Sequence, residues 1–308
     1  MGNGEPRVSI GMPVHNGEQY LRTALDSLLA QDYGSFELII SDNASNDATG
    51  EICREYASKD KRISCLRNNS KVEVFDNFRL VLDRARAPYF MWAAADDEWL
   101  PGFVSALVAE LDSNPQAGVA MCGTERIQED GALVDYVRCP EAINSRPMKH
   151  FTLAMALASG KPYHLYFYGL FRTDFIRRAY RRFPMVVLGD RLFVCGLALA
   201  TDFRYVDQVL YIRRGHDQSY VDRYAGEELG RVWQDRFAYI KLVAVVGPYL
   251  MRSPIIPWPR KFFIPALALK FAWMHRKRMR RAIWGELRSI WPLPRRSKAG
   301  RRPGGNTR

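Results

Sequence analysis

The 308 residues are 47% hydrophobic and 25% charged, with a formal net charge of +12; this composition excludes a wholly disordered chain and provides for one large domain or two small ones. The charge is unevenly placed: residues 252–308 hold 16 Lys and Arg and one acid, leaving 29 basic and 32 acidic residues before them. Basicity is a property of the C-terminal part, which excludes a protein evenly coated for nucleic acid.

Cys53, Cys65, Cys122, Cys139 and Cys195 form an odd set without a C-x-x-C pair. That suits neither a disulfide framework nor a zinc site, and a reducing, cytoplasmic setting is expected. Met1–Pro6 has no apolar h-region, and the longest uncharged apolar stretches, Leu242–Met251 and Phe262–Leu269, fall well short of the roughly 20 residues that span a bilayer. No export signal and no transmembrane helix is expected.

In chain order, Val8–Pro13 predicts a short buried strand, and Leu21, Ala24, Leu25, Leu28 and Leu29 predict a helix over Tyr20–Gln31. Phe36–Asp42 predicts a second strand; Asn46 or Asp47 can cap the next helix, which carries Ile52, Tyr56 and Ala57. Strand and helix then alternate through Ile63–Leu66, Phe75–Ala85, Tyr89–Ala94, Leu100–Leu111 and Val119–Cys122. This alternation predicts an α/β fold with a mostly parallel sheet flanked by helices. From Gln128 to Lys149 the pattern loosens into a loop or β-insertion. It returns with Tyr166–Arg172, helices over Thr173–Tyr180 and Arg191–Ala200, and two short strands near Phe203–Val206 and Val209–Arg213. The globular domain is expected to close near Tyr220. Residues 1–220 are thus one domain, 221–294 a helical basic extension, and 295–308 a disordered tail rich in Arg, Gly and Pro.

In open α/β sheets ligands gather at the carboxyl ends of strands. Here the first strand runs into Pro13-Val14-His15-Asn16-Gly17-Glu18, the second into Asp42-Asn43-Ala44-Ser45, and the fourth into Asp96-Asp97-Glu98. Each has a plain structural reading: Asp42 or Ser45 as helix caps, His15-Asn16-Gly17 as a turn, the acids as a solvated helix start. Asp96 and Asp97 resist it because they directly follow the apolar run Tyr89–Ala95. Two carboxylates there call for a cation such as Mg²⁺ or Mn²⁺, which completes its shell with phosphate oxygens and water. A diphosphate ligand follows.

As a set, Val8–Glu18, Ser41–Ser45, Asn77 and Ala95–Glu98 resemble the family 2 glycosyltransferases of GT-A fold, over about Val8 to Ser219. The resemblance implies an inverting, nucleotide-sugar-dependent enzyme in which Pro13, Val14, His15, Asn16, Glu18, Asp42, Asn43 and Asn77 surround the nucleotide. It puts Asp96 on the ribose or the metal, and Asp97 on the Mn²⁺ or Mg²⁺ of the donor diphosphate. Two positions depart from the family: His15 stands where Tyr is frequent, and Ala94 where many members carry another Asp. Gly189-Asp190-Arg191-Leu192 matches the family's general base, with a helix N-cap as the alternative role of Asp190. Arg214 and His216, within Arg213–Ser219, match a closing segment that meets the diphosphate. Gln208 is followed by Val209-Leu210-Tyr211 rather than the Q-x-x-R-W box of processive synthases, so transfer of a single sugar is expected.

The implied partners are a nucleoside diphosphate sugar and a glycan or lipid-linked acceptor. A sugar-nucleotide nucleotidyltransferase is the first rival, disfavoured because no Gly-rich, Arg-bearing phosphate loop follows the first strand. A non-catalytic nucleotide-binding relative is the second, and Ala94 is its argument. In the basic extension, Phe262, Phe263, Leu267, Phe271, Trp273 and Trp284 interleave with Arg276, Lys277, Arg278, Arg280 and Arg281, while Met279, Ile283, Leu287 and Ile290 share a helical face. This pattern predicts attachment to an anionic membrane surface at the inner face of the cytoplasmic membrane. A helix packed on the catalytic domain is the alternative, and nucleic acid is the least favoured partner.

Overall fold

The computed structural model describes residues 5–138, 149–159, 166–216, 231–232 and 234–290. The boundary expected at Tyr220, Cys139 and the tail over 295–308 lie outside them. The chain begins with β1 (Val8–Val14), α1 (Glu18–Leu29), β2 (Phe36–Asp42), α2 (Thr49–Lys59), β3 (Ile63–Arg67), α3 (Val74–Arg84) and β4 (Tyr89–Trp92). β1 and β2 are buried along almost their whole length because helices cover both sheet faces, hence their unbroken apolar runs. Next come β5 (Glu98–Trp99), α4 (Phe103–Ser113), β6 (Ala117–Ile127), β7 (Leu133–Val137), α5 (Lys149–Ala158), β8 (Leu170–Arg172), α6 (Thr173–Tyr180), α7 (Gly189–Ala200) and β9 (Asp202–Arg214). α8 (Ala238–Met251), a 3₁₀ turn (Trp258–Phe263) and α9 (Ile264–Ile290) complete the described chain.

The sheet order is β3-β2-β1-β4-β8-β6-β9-β5, with β7 alongside β6. The long ladders are parallel: β1 with β2 and β4, β2 with β3, and β6 with β9. Short β8 runs antiparallel to both β4 and β6. Two reversals restore direction, so β1, β2, β4 and β9 all point their carboxyl ends to one edge. This is a GT-A α/β architecture, as the sequence predicts.

Local departures have local causes. The strand expected over Tyr89–Ala94 ends at Trp92, and the chain instead makes the two-residue β5, antiparallel to Tyr211–Ile212 of β9. The following helix starts at Phe103 rather than Leu100 because Pro101 and Gly102 precede it, Gly102 with φ of 92°. The two short strands expected over 203–213 are one strand. Its register jumps from Cys122↔Val206 to Gly123↔Val209, so Asp207 and Gln208 bulge out. Gly123 permits the bulge: a Cβ there would lie 2.9 Å from the Gln208 carbonyl oxygen.

The C-terminal helices pack on the rest of the protein. Leu242, Val246, Leu250, Leu267 and Phe271 join the main hydrophobic core, and the Arg260 Nη1 donates to the Leu199 carbonyl at 3.1 Å. The inner face of α9 is Ile264, Leu267, Phe271, His275 and Ala282. Ile283 is exposed and Met279 half-buried, so the face expected from Met279 and Ile283 is not the packed one. Among the described residues no helix is long and apolar enough to cross a membrane.

Candidate active site

At the shared edge the first two loops are zipped together. The Asn16 amide donates to Ser45 Oγ (2.9 Å), Gly17 to Thr49 Oγ1 (2.8 Å), Asn46 to Asn16 Oδ1 (3.0 Å) and Ala48 to Glu18 Oε2 (2.8 Å). His15 is half-buried, and its Nδ1 donates to the Asn43 carbonyl at 2.9 Å, leaving Nε2 for a ligand. Pro13 lies opposite Ser41 in the β1–β2 ladder, and the Val14 carbonyl accepts from the Asn43 amide at 2.8 Å.

Several expected nucleotide ligands are occupied within the framework. Asn43 Oδ1 accepts from Val72 N (2.8 Å) and Asn68 Nδ2 (3.0 Å), fastening the segment before α3. Asn77 is buried, accepting from Ser41 Oγ at 2.6 Å and donating to the Ser41 carbonyl at 3.0 Å. The Asp42 side chain is fully covered: it accepts from Ser45 N at 2.9 Å and from Arg67 Nη1 at 2.5 Å. Asp42 thus fastens the turn after β2 and does not cap α2, whose N-cap is Ala48 with no side-chain bond. Arg67 has no sequence signal beyond following a strand.

After β4 the two acids part company. The Asp96 side chain is 24% exposed and its Oδ2 lies 2.5 Å from His216 Nε2, at the end of β9. Asp97 is only 3% exposed. One of its oxygens accepts from the Tyr211 hydroxyl and the other from the Arg214 amide at 3.0 Å. Burial and then the neighbouring Asp96 charge push its acid up to about 7, against Arg213 and the two hydrogen bonds. The carboxylate of Asp97, expected on the metal, is turned into the protein, and of the pair Asp96 is the less buried.

Arg214, expected at the diphosphate, has its guanidinium engaged within the protein. Its Nη2 donates to Glu98 Oε1 at 2.7 Å, and its guanidinium lies 4.7 Å from the Tyr20 ring centroid. Arg213 is the cation beside the acids: burial lowers its pKa, but Tyr211, Tyr168, Asp97 and Asp96 outweigh that and hold it above the ordinary value. Strand alternation carries the signal, since Arg213 shares a face of β9 with buried Tyr211.

Asp190 arrives from the other half of the sheet. Phe183, before α7, stacks on Phe75 at 4.2 Å, and Phe75 lies in the first turn of α3 at the same edge. Phe183, Phe193, Phe167 and Trp92 continue as one aromatic cluster beneath β4. Leu188, with φ of 57°, is the N-cap of α7, and no side chain caps that helix. Asp190 is thus not its cap. Among the described residues the non-glycine positions of positive φ are Asn16, Ala44 and Leu188, all in the loops of this edge. Such strain concentrates where a ligand must be met.

Comparison with known proteins gives several partial matches. A Mycobacterium tuberculosis protein of uncharacterized function is 37% identical over 38% of this chain and 35% of its own length. TuaG of Bacillus subtilis, named for teichuronic acid biosynthesis, is 29% identical over 46% of this chain and 57% of its own. The matches thus span from about a third to just over half the length of these relatives. The S. aureus TarS 1-349 structure in complex with UDP-GlcNAc matches with a TM-score of 0.63 at 14% identity, covering 92% of this chain and 81% of that one, a likeness of fold. The sequence model of Glycosyl transferase family 2 matches residues 9–178, more than half of the chain, and the chain belongs to that family.

Proposed function

We propose that the protein transfers one sugar from a nucleoside diphosphate sugar to a hydroxyl of a glycan or lipid-linked acceptor, inverting the anomeric carbon. The carrying observation is one edge that gathers the Asp96–His216 pair, the zipped loops holding His15, and the strained turn before Asp190. The name of TuaG favours a cell-envelope polysaccharide as acceptor class. A nucleotidyltransferase has no counterpart here to its phosphate loop, because the β1–α1 turn is occupied by bonds to the β2–α2 loop.

The Asp96 carboxylate fits Mn²⁺ or Mg²⁺, hard cations that take one or two protein carboxylates and leave the rest of an octahedral shell to phosphate oxygens and water. Its present partner, His216 Nε2 at 2.5 Å, would release that oxygen when the cation is held. No group of three or more His, Cys, Asp or Glu closes a protein cage among the described residues. A cation held there would neutralise charge on the departing nucleoside diphosphate. Arg213 adds fixed positive charge, and Asp97 holds the turn of Asp96 through Tyr211 and Arg214. Asp190 takes the acceptor hydroxyl's proton as that oxygen bonds to the anomeric carbon. The bond to the diphosphate oxygen breaks, and its electron pair leaves with the nucleotide.

Nucleotide release from UDP-, GDP- and dTDP-sugars with Mn²⁺ and candidate glycan acceptors tests this reading. One donor class is expected to turn over, and Asp190→Asn to slow transfer about 10²–10⁴-fold with donor binding retained. Absence of binding and turnover across the panel, or an Asp190→Asn rate within about threefold of the parent, contradicts it.

A further inference from the structure

α9 has two faces with different occupants. Its inner face is buried against α5 and α8. Its outer face exposes Leu269, Trp273, Ile283 and Trp284, and the 3₁₀ turn before it exposes Trp258 and Phe262 at 67% and 75%. These are large apolar groups left in water after the core is complete, which a soluble surface rarely gathers in one place. Lys270, Arg276, Lys277 and Arg280 stand among them on the outer side of the helix. The cations sit over the rings: Arg276 lies 4.3 Å and Lys270 5.2 Å from the Trp273 centroid, and Lys261 5.7 Å from that of Trp258. The one acid of this region, Glu286, is paired to Arg236 at 2.6 Å and leaves the outer charge unopposed.

We infer that this outer face, from Trp258 to Trp284, is a docking surface for an anionic lipid bilayer. Indole rings settle at the boundary between headgroups and acyl chains, and flanking Lys and Arg meet anionic headgroups. A second copy of the chain is a poorer occupant because two such faces would oppose positive charge with positive charge. Nucleic acid explains the cations and leaves Leu269, Phe262 and Ile283 without a role. Resting on the transferase reading, attachment through this face would hold the enzyme beside an acceptor embedded in the bilayer.

Flotation of the full chain with vesicles of phosphatidylcholine, with and without anionic phosphatidylglycerol, tests the inference. Recovery is expected only with the anionic vesicles. Arg276→Gln, Lys277→Gln and Arg280→Gln together should lower partitioning by roughly a hundredfold, and Trp273→Ala with Trp284→Ala should lower it further. All five side chains are exposed, so melting temperature and donor turnover in solution should not change. Equal recovery on neutral and anionic vesicles, or unaltered recovery of both variants, overturns the surface; retention by duplex DNA in place of vesicles assigns it to nucleic acid and also overturns it. Failure of the parent chain to bind anionic vesicles, with its donor turnover intact, defeats only this inference, whereas absent turnover with intact vesicle binding by the parent defeats only the transferase reading.

Discussion

Asp96 and Asp97 are adjacent in sequence and opposite in circumstance. A sequence displays two carboxylates at a strand end but not which one the backbone turns inward. That depends on Tyr211 and Arg214, more than a hundred residues away, which take up both oxygens of Asp97. Asn43, Asn77 and Asp42 are likewise committed to framework hydrogen bonds that depend on residues no motif displays. Asp97→Ala is expected to destabilise the protein by about 1–3 kcal/mol, because it leaves the buried Tyr211 hydroxyl and the Arg214 amide without an acceptor. Thermal melting at neutral pH checks this. An unchanged midpoint would mean that water or another oxygen takes over both bonds.

Elements whose cores are long apolar runs were readable, since β1, β2, α1 and the helices of the first half follow directly from periodicity. What escaped is set by pairing between distant segments. β5 is two residues long and exists only against β9, and β9 runs unbroken only because Gly123 leaves room for the bulge at Asp207 and Gln208. The turn into α7 depends on a similar close approach. A Cβ on Gly189 would lie 2.2 Å from the Pro184 carbonyl oxygen, a backbone atom that cannot step aside alone. Gly189→Ala should therefore displace the Leu188 turn and Asp190 with it, costing about 1–3 kcal/mol of stability. Sugar transfer should fall far more than donor affinity, measured by kinetics and calorimetry on the same preparation. A proportionate loss of both would mean that this turn also supports the donor.

At the scale of the whole molecule, α8 and α9 are part of the packed structure as well as a basic appendage. Charge and aromatic content in the sequence pointed outward, while Leu267 and Phe271 in the same helix point into the core. Phe271→Ala should cost about 3–5 kcal/mol, whereas exposed Trp273→Ala should stay within about 0.5 kcal/mol, as chemical denaturation can distinguish. Equal effects would mean that the helix docks on another face. The catalytic edge itself is most directly tested by calorimetric titration of the nucleoside diphosphate sugar with Mn²⁺ and with EDTA, on the parent protein and Asp96→Ala. Donor binding is expected to require the cation, and Asp96→Ala to lose both that requirement and most of the affinity; equally tight binding in EDTA, or undiminished metal-dependent binding by Asp96→Ala, would contradict the assignment.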